Sequence, residues 1–348
     1  MLMCTSSRKL LFWFEEIGEE HTDAVGKKCA NLGAMSRMGF PVPSGFAISI
    51  EAYKRFIEET GAVEEMHHYI SRLGELKALK QFEEASEAIR DIIEARTMPK
   101  GMEEEITSYY GNLCNRLETR DAPVSVRSAG TVSRPGMFET YLNVNGGQEL
   151  LDKVKRVWAS AFTPRAIAFR VSKQIPVDGD MLGVAVCEMI DARSAGVGFT
   201  ADPVSGNTSK IVIEANWGLG ESVVSGTENV DKYVVDKRTL EIKERLVGNK
   251  ARRVINKKKG VDYEDVPPDM RLTPCLDDGE IQEVATIAKT LEERFGCPQD
   301  VEWAIKPDLP LHQSVFLLQS RPAKIAVKKS ETVSDRVIDL ILERFYER

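Results

Sequence analysis

Residues 124–140 read VSVRSAGTVSRPGMFET, and this stretch decides how the rest of the chain divides. Val124, Val126 and the residues between them alternate as a short strand should, with apolar and polar positions two apart. Arg127 then stands at the strand end, ahead of a loop containing Ser128, Gly130, Thr131, Ser133 and Gly136. A fixed guanidinium followed by flexible, N–H-rich backbone has the parts of a polyphosphate cradle. A surface loop whose arginine pairs with a carboxylate is equally open on these residues alone.

On the amino-terminal side, residues 62–120 are charged with helical apolar spacing, as at Ile70, Leu73 and Leu76 and again at Ile89, Ile92 and Ile93. They read as surface helices over a core. Before them, SIEAYKRFIEETG has Ser49 as a cap, Tyr53, Phe56 and Ile57 as a stripe, and Gly61 as a stop. Further out, GKKCANLGAMSRMGFPVPSGFAI (26–48) opens on a glycine turn carrying Lys28 and closes through Pro41-Val42-Pro43. A lone lysine beside glycine is usually just exposed, so Lys28 is only a candidate phosphate contact.

On the carboxy-terminal side, a helix around 150–162 leads to short strand-like runs. These are LGVAVCEMI (182–190), GVGFT (196–200), KIVIEA (210–215) and KYVVD (232–236). A helix is predicted at about 279–295, capped by Asp277 or Asp278 and stopped by Gly296. DVEWAI (300–305) and VFLLQSR (315–321) read as strands, and an amphipathic helix is predicted at about 331–347. Alternation places Glu302 opposite in facing to Val301 and Trp303, and puts Gln319 and Arg321 on one face. If these strands pair antiparallel, a carboxylate, an amide oxygen and a guanidinium converge, a set suited to Mg²⁺ and the phosphate it bridges. Alternation by itself favours the plainer reading, an edge hairpin with a solvated polar face.

Composition bounds the function classes. The 348 residues are 42% hydrophobic and 29% charged, enough apolar material for a sizeable core and about two domains or lobes. With Lys+Arg 47 against Asp+Glu 54 the net charge is −7, so the broad basic footprint of a duplex-binding protein is missing. KARRVINKKK (250–259) is accordingly read as a solvated hairpin or a partner-docking edge rather than a nucleic-acid site. No apolar run approaches a membrane span, and the five apolar residues 10–14 make a poor signal peptide. Six cysteines with no CxxC pair, and only four histidines, suggest reduced thiols in a cytoplasmic protein without zinc.

Two familiar nucleotide motifs do not fit. WGLGESVV has Gly218-x-Gly220 after a strand, but Val223 occupies the third glycine position. Gly226-Thr-Glu-Asn then cuts off the helix whose amino terminus a dinucleotide turn needs. A GxxxxGK[ST] loop is absent from the sequence, which excludes an ordinary P-loop.

Taken in order, VGKKCANLGAMSRMGFPVPSGFAI, VSVRSAGTVSRPGMFETYLNV, RAIAFR, GVGFTADPVSG, NWGLGESVVSGTENVDKYVV, DVEWAI and LLQSRPA resemble the amino-terminal ATP-binding domain of the phosphoenolpyruvate synthase and pyruvate phosphate dikinase family. The resemblance runs from about residue 20 to 323, and SRPGMFET is nearer the dikinase form of its loop. It implies an α+β, two-lobed ATP-grasp fold with a nucleotide cleft between lobes at 1–185 and 186–325, followed by a 326–348 helix that could dock a partner. It further implies that Lys28 and Arg127 grip phosphates while the 130–136 loop, with Thr131 and Gly136, closes over them. Glu188, Met189 and Ile190 would form the adenine hinge, Glu221 would reach the ribose, Glu302 and Gln319 would hold Mg²⁺, and Arg321 would steady the transferring group. Members often have Gln at the position of Cys187 and a basic residue at that of Glu188, so the adenine contacts depart from the pattern.

In that family the β-phosphate of ATP is attacked by a histidine on a swivelling domain, giving AMP and a pyrophosphoryl-histidine that loses phosphate. His21, His67, His68 and His312 match no such segment, and the acceptor-binding barrel is absent from the sequence. The resemblance therefore implies either a fragment cut from a longer enzyme or an ATP-binding subunit with a separate phosphohistidine-bearing, acceptor-binding partner subunit. Met1 and the predicted terminal helix suggest a natural subunit, as in split members such as phenylphosphate synthase, with phenol as the expected acceptor. Pyruvate, a glucan or an antibiotic as acceptor, and a non-catalytic nucleotide-sensing subunit, are the alternatives.

Overall fold

The computed structural model describes residues 9–324 apart from 133–135, 179 and 227. The predicted helix at 331–347, and with it the 326–348 docking segment, lies outside the described residues. Internal contacts divide the described residues into two units, one comprising 9–30 and Ser44–Glu188, the other Asn31–Pro43 and 189–324. The sequence reading puts the boundary between lobes after 185. The contacts put it after Glu188 and assign 31–43 to the second unit, because Leu317 N–H donates to the Pro41 carbonyl and Asn31 Nδ2 to the Ser320 carbonyl.

Strands Leu11–Trp13 (β1), Gly45–Ile48 (β2), Val124–Ala129 (β3), Thr140–Val144 (β4) and Gly183–Glu188 (β5) make the first unit's sheet. Its order is β1-β2-β5-β3-β4, antiparallel throughout. The short apolar run weighed above as a signal peptide is thus the edge strand β1. Inward residues Phe46, Ile48, Val126, Val184 and Val186 pack with helical Phe56, Ile89 and Trp158 in one buried cluster. Each such large apolar side chain contributes about 1.5–3 kcal/mol on full burial. Helix Ile50–Glu59 begins where the sequence places it: Ser49 Oγ accepts from Ala52 N–H at 3.2 Å, and Tyr53, Phe56 and Ile57 are buried. His67 and His68 lie on the surface helix Ala62–Arg72, His67 paired with Asp178.

The second unit holds strands Ser194–Phe199 (β6), Lys210–Trp217 (β7), Asp231–Asp236 (β8), Ile242–Leu246 (β9), Arg252–Asn256 (β10), Val261–Asp265 (β11), Gln299–Ile305 (β12) and Val315–Pro322 (β13). Six of them form a sheet of order β13-β12-β6-β7-β8-β9, and β10 pairs with β11 as a separate hairpin. Helix Asp278–Phe295 packs on this sheet through Ile281, Val284, Ile287, Ala288 and Leu291. Its capping box is complete. Asp277 Oδ1 accepts from Glu280 N–H at 2.8 Å, Glu280 Oε2 accepts from Asp277 N–H at 2.9 Å, and Gly296 ends the helix at φ 69°.

The basic run at 250–259 does form a hairpin strand, but its first residue corrects the solvated reading. Lys250 is fully buried and ion-paired to the equally buried Asp231. Asp231 also accepts from Gly248 N–H, Cys275 N–H and the Tyr233 hydroxyl, so the charge pair is tied to the backbone on several sides. That is the condition under which a buried ion pair is tolerated.

Candidate functional site

In the first unit the glycine turn is clamped onto the strand that carries Arg127. Lys27 N–H donates to the Gly130 carbonyl at 2.8 Å, and Gly26 sits at φ 80°. A Cβ on Gly26 would fall 2.0 Å from the Ala129 carbonyl oxygen, so only glycine allows this approach. Lys28, the second residue of helix Lys27–Arg37, and Arg127 on β3 are both half-buried. Their charges act on the same two thiols. Burial pushes Cys29 and Cys187 up, and Lys28 and Arg127 pull both part of the way back. The sequence candidates Lys28 and Arg127 are therefore brought together.

Thr131 is exposed beside the end of β3, and Gly136 lies at φ 64°. The Gly136 carbonyl accepts from Arg165 Nη1 at 3.1 Å, and the Met137 carbonyl accepts from the Thr163 hydroxyl at 3.2 Å. The loop's exit is thus held by the start of helix Pro164–Ser172, while 133–135 lie outside the described residues. Glu188 closes β5, its N–H donating to the Ser44 carbonyl at 2.8 Å.

In the second unit Met189 and Ile190 follow β5 outside any regular element, and Ile190 is buried against Ala195 and Ala304. The glycine pair that resembled a dinucleotide turn leads into a helix of only four residues, Glu221–Val224, which bears out its exclusion as a Rossmann element. Glu221 is exposed at the first position of that helix.

β12 and β13 pair antiparallel, the condition on which the polar face depended. Glu302 stands directly opposite Gln319, and Asp300 directly opposite Arg321. The register shifts between Glu302 and Trp303, because Trp303 pairs with Leu317 and leaves Leu318 as an extra residue. Strict alternation would put Gln319 on the inward face of Val315 and Leu317. The bulge moves Gln319 and Arg321 to the face of Glu302 and Asp300, leaving Val301, Ser320, Trp303 and Leu317 buried behind.

Asp300 is the residue sequence reasoning missed, although it lies two before Glu302 in the same alternation. Its Oδ2 accepts from Arg321 Nε at 2.7 Å and bridges to Nη2 at the same distance. Its Oδ1 is buried with no hydrogen bond among the described residues. Burial holds the Asp300 carboxyl above its ordinary value, against the pull of Arg321 and with a further push from Glu302. The donor chemistry fits a hard divalent cation: a carboxylate and an amide oxygen paired in register beside a second acid and a guanidinium. Among the described residues no three His, Cys, Asp or Glu side chains form a metal cage. Mg²⁺ is usually held by one or two carboxylates plus phosphate oxygens, so a cage is not required.

A glycine-clamped cationic turn stands in one unit and an acid–amide–guanidinium strand pair in the other, donor sets of the chemistry that suits phosphate and a divalent cation. A family model described as the pyruvate phosphate dikinase AMP/ATP-binding domain matches residues 22–339, and the chain belongs to that family. A probable phosphoenolpyruvate synthase of Staphylothermus marinus is 35% identical over 96% of this chain and 43% of its own length. The phosphoenolpyruvate synthase of Aeropyrum pernix is 36% identical over 93% of this chain and 43% of its own. A probable phosphoenolpyruvate synthase of Methanocaldococcus jannaschii is 36% identical over 91% of this chain and 27% of its own. The chain thus spans less than half the length of these relatives. No helix among the described residues is long and apolar enough to cross a membrane.

Proposed function

We propose that this chain binds ATP with Mg²⁺ and presents its β-phosphate to a histidine on another domain or polypeptide, which takes the β,γ-pyrophosphoryl group and releases AMP, the terminal phosphate then leaving as inorganic phosphate to give phosphohistidine. The observation that carries the proposal is the paired register of Glu302 with Gln319 and of Asp300 with Arg321 on one strand face. Mg²⁺, held by Glu302 and Gln319, would supply neutralisation of phosphate charge. Arg321, aimed by Asp300, steadies the transferring group, and Lys28, Arg127, Thr131 and Gly136 grip the remaining phosphates. Glu188, Met189 and Ile190 face adenine through backbone groups, and Glu221 takes the ribose. Such catalysis works by positioning and charge compensation rather than by a protein nucleophile.

For the final acceptor, relatives named phosphoenolpyruvate synthase favour pyruvate over phenol. The split-subunit arrangement of phenylphosphate synthase has no support among them, and the phosphohistidine carrier is proposed only as a separate domain or chain.

The test incubates the chain with Mg²⁺, β-³²P-labelled ATP and cell extract from its source. An acid-labile label on another polypeptide, with AMP, is the expected result. ATP binding with no transfer would instead favour a nucleotide-sensing role. Arg321→Ala is a poor control, because it leaves the Asp300 carboxylate buried without its cation. Arg321→Lys keeps the charge and loses the two-toothed geometry, and should cut labelling at least about tenfold. Wild-type labelling by Arg321→Lys would remove Arg321 from the transfer step.

A further inference from the structure

Asn216, on β7, is completely buried and spends its whole side chain on three neighbours. Its Oδ1 accepts from Trp217 N–H at 2.8 Å, while Nδ2 donates to the Ser222 hydroxyl at 3.0 Å and to the Arg252 carbonyl at 3.0 Å. A carbonyl on one side and an N–H on the other leave one orientation of the amide that satisfies both. Ser222 is equally buried and immediately follows the exposed Glu221. One amide therefore ties the end of a core strand, the short helix carrying Glu221 and the first residue of β10.

Backbone hydrogen bonds also hold the turn between them, and the Ser222 hydroxyl donates to the Leu219 carbonyl at 3.5 Å. Gly218 N–H donates to the Arg193 carbonyl at 2.9 Å and Leu219 N–H to the Val254 carbonyl at 2.8 Å. Gly218 has φ 74°, and a Cβ there would lie 2.3 Å from the Val254 carbonyl oxygen. These contacts fix where the turn starts. The Asn216–Ser222 bond ties the four-residue helix that carries Glu221 to the buried core strand by a side chain, and so short a helix has little rigidity of its own.

We propose that Asn216 is a positioning residue for nucleotide recognition, acting through Ser222 to hold the Glu221 carboxylate where it accepts hydrogen bonds from the ribose hydroxyls. The proposal rests on Glu221 being the ribose contact, and the experiment separates the two. Calorimetry on the full chain would measure affinities for ATP, 2′,3′-dideoxy-ATP and inorganic pyrophosphate in the wild type and in Glu221→Ala, Asn216→Ala and Ser222→Ala. Wild type should prefer ATP over the dideoxy analogue, and Glu221→Ala should lose that preference. Asn216→Ala and Ser222→Ala should reduce it about five- to tenfold while pyrophosphate affinity stays within about twofold.

If Asn216→Ala does not fold, Ser222→Ala decides, since it removes the one bond to the helix and leaves the other two bonds of Asn216 in place. A folded Ser222→Ala with the full preference, alongside Glu221→Ala without it, overturns the positioning role alone. Equal losses for all three ligands mark a general structural role and also overturn it. Retained preference in Glu221→Ala overturns the ribose reading and the proposal together.

Discussion

Asp300 shows how one side chain links folding to chemistry. Its Oδ2 orients Arg321, while its Oδ1 is buried without a partner among the described residues, so the charged form is only partly compensated. Burial raises its pKa above the ordinary 3.8, with Arg321 opposing the shift. The native state therefore holds this proton more tightly than the unfolded chain, and stability falls as pH rises through the raised value. Relative to Asp300→Asn, the wild type should gain stability between pH 7 and about pH 4.5, read from urea midpoints at the two pH values. A relative loss on acidification would show that Asp300 ionises more readily in the fold. A cation bound beside Glu302 would oppose the proton, so Mg²⁺·ATP should flatten the difference.

At the scale of elements, helix Asp278–Phe295 was legible because local signals agree with tertiary ones: a capping box, a stripe of apolar residues and a terminal glycine. Asp277→Ala removes the side-chain acceptor and should cost about 1 kcal/mol, measured by urea unfolding. A loss well above about 2 kcal/mol would mean that Asp277 has a role beyond the cap. Strands β3, β5, β6, β7, β8, β12 and β13 were likewise visible as alternating or apolar runs. β1 and the polar β9 were not. β1 is three residues long, and most of β9 is exposed, so neither carries an alternation that could be told from background. The bulge at Leu318 was also invisible, since nothing in VFLLQSR marks where two residues must oppose one.

At the scale of the whole molecule, the second unit depends on a buried ion pair that its sequence conceals within a basic run. Lys250→Met strips Asp231 of its cation and should destabilise this unit by about 3–5 kcal/mol. Hydrogen exchange should quicken in β8 while β3, in the first unit, keeps its protection. The double variant Asp231→Asn with Lys250→Met should recover much of the loss, because it removes both charges together. Uniform loss of protection across both units in the single variant would instead mean that the two unfold as one.

The sequence by itself determined the mixed helix and strand make-up, the exclusion of the two familiar nucleotide motifs and the family resemblance that the comparisons bear out. It also supplied Lys28, Arg127, Glu302, Gln319 and Arg321 as residues to follow, because glycine turns and period-two alternation are local properties. Only the tertiary structure decided that Gly26 abuts Ala129, that a bulge turns Gln319 towards Glu302, that Asp300 aims Arg321, and that Lys250 is buried. Each of those depends on backbone approach, strand register or burial between segments distant along the chain. Such contacts are set by packing, and a one-dimensional pattern holds no record of which distant residue will stand opposite.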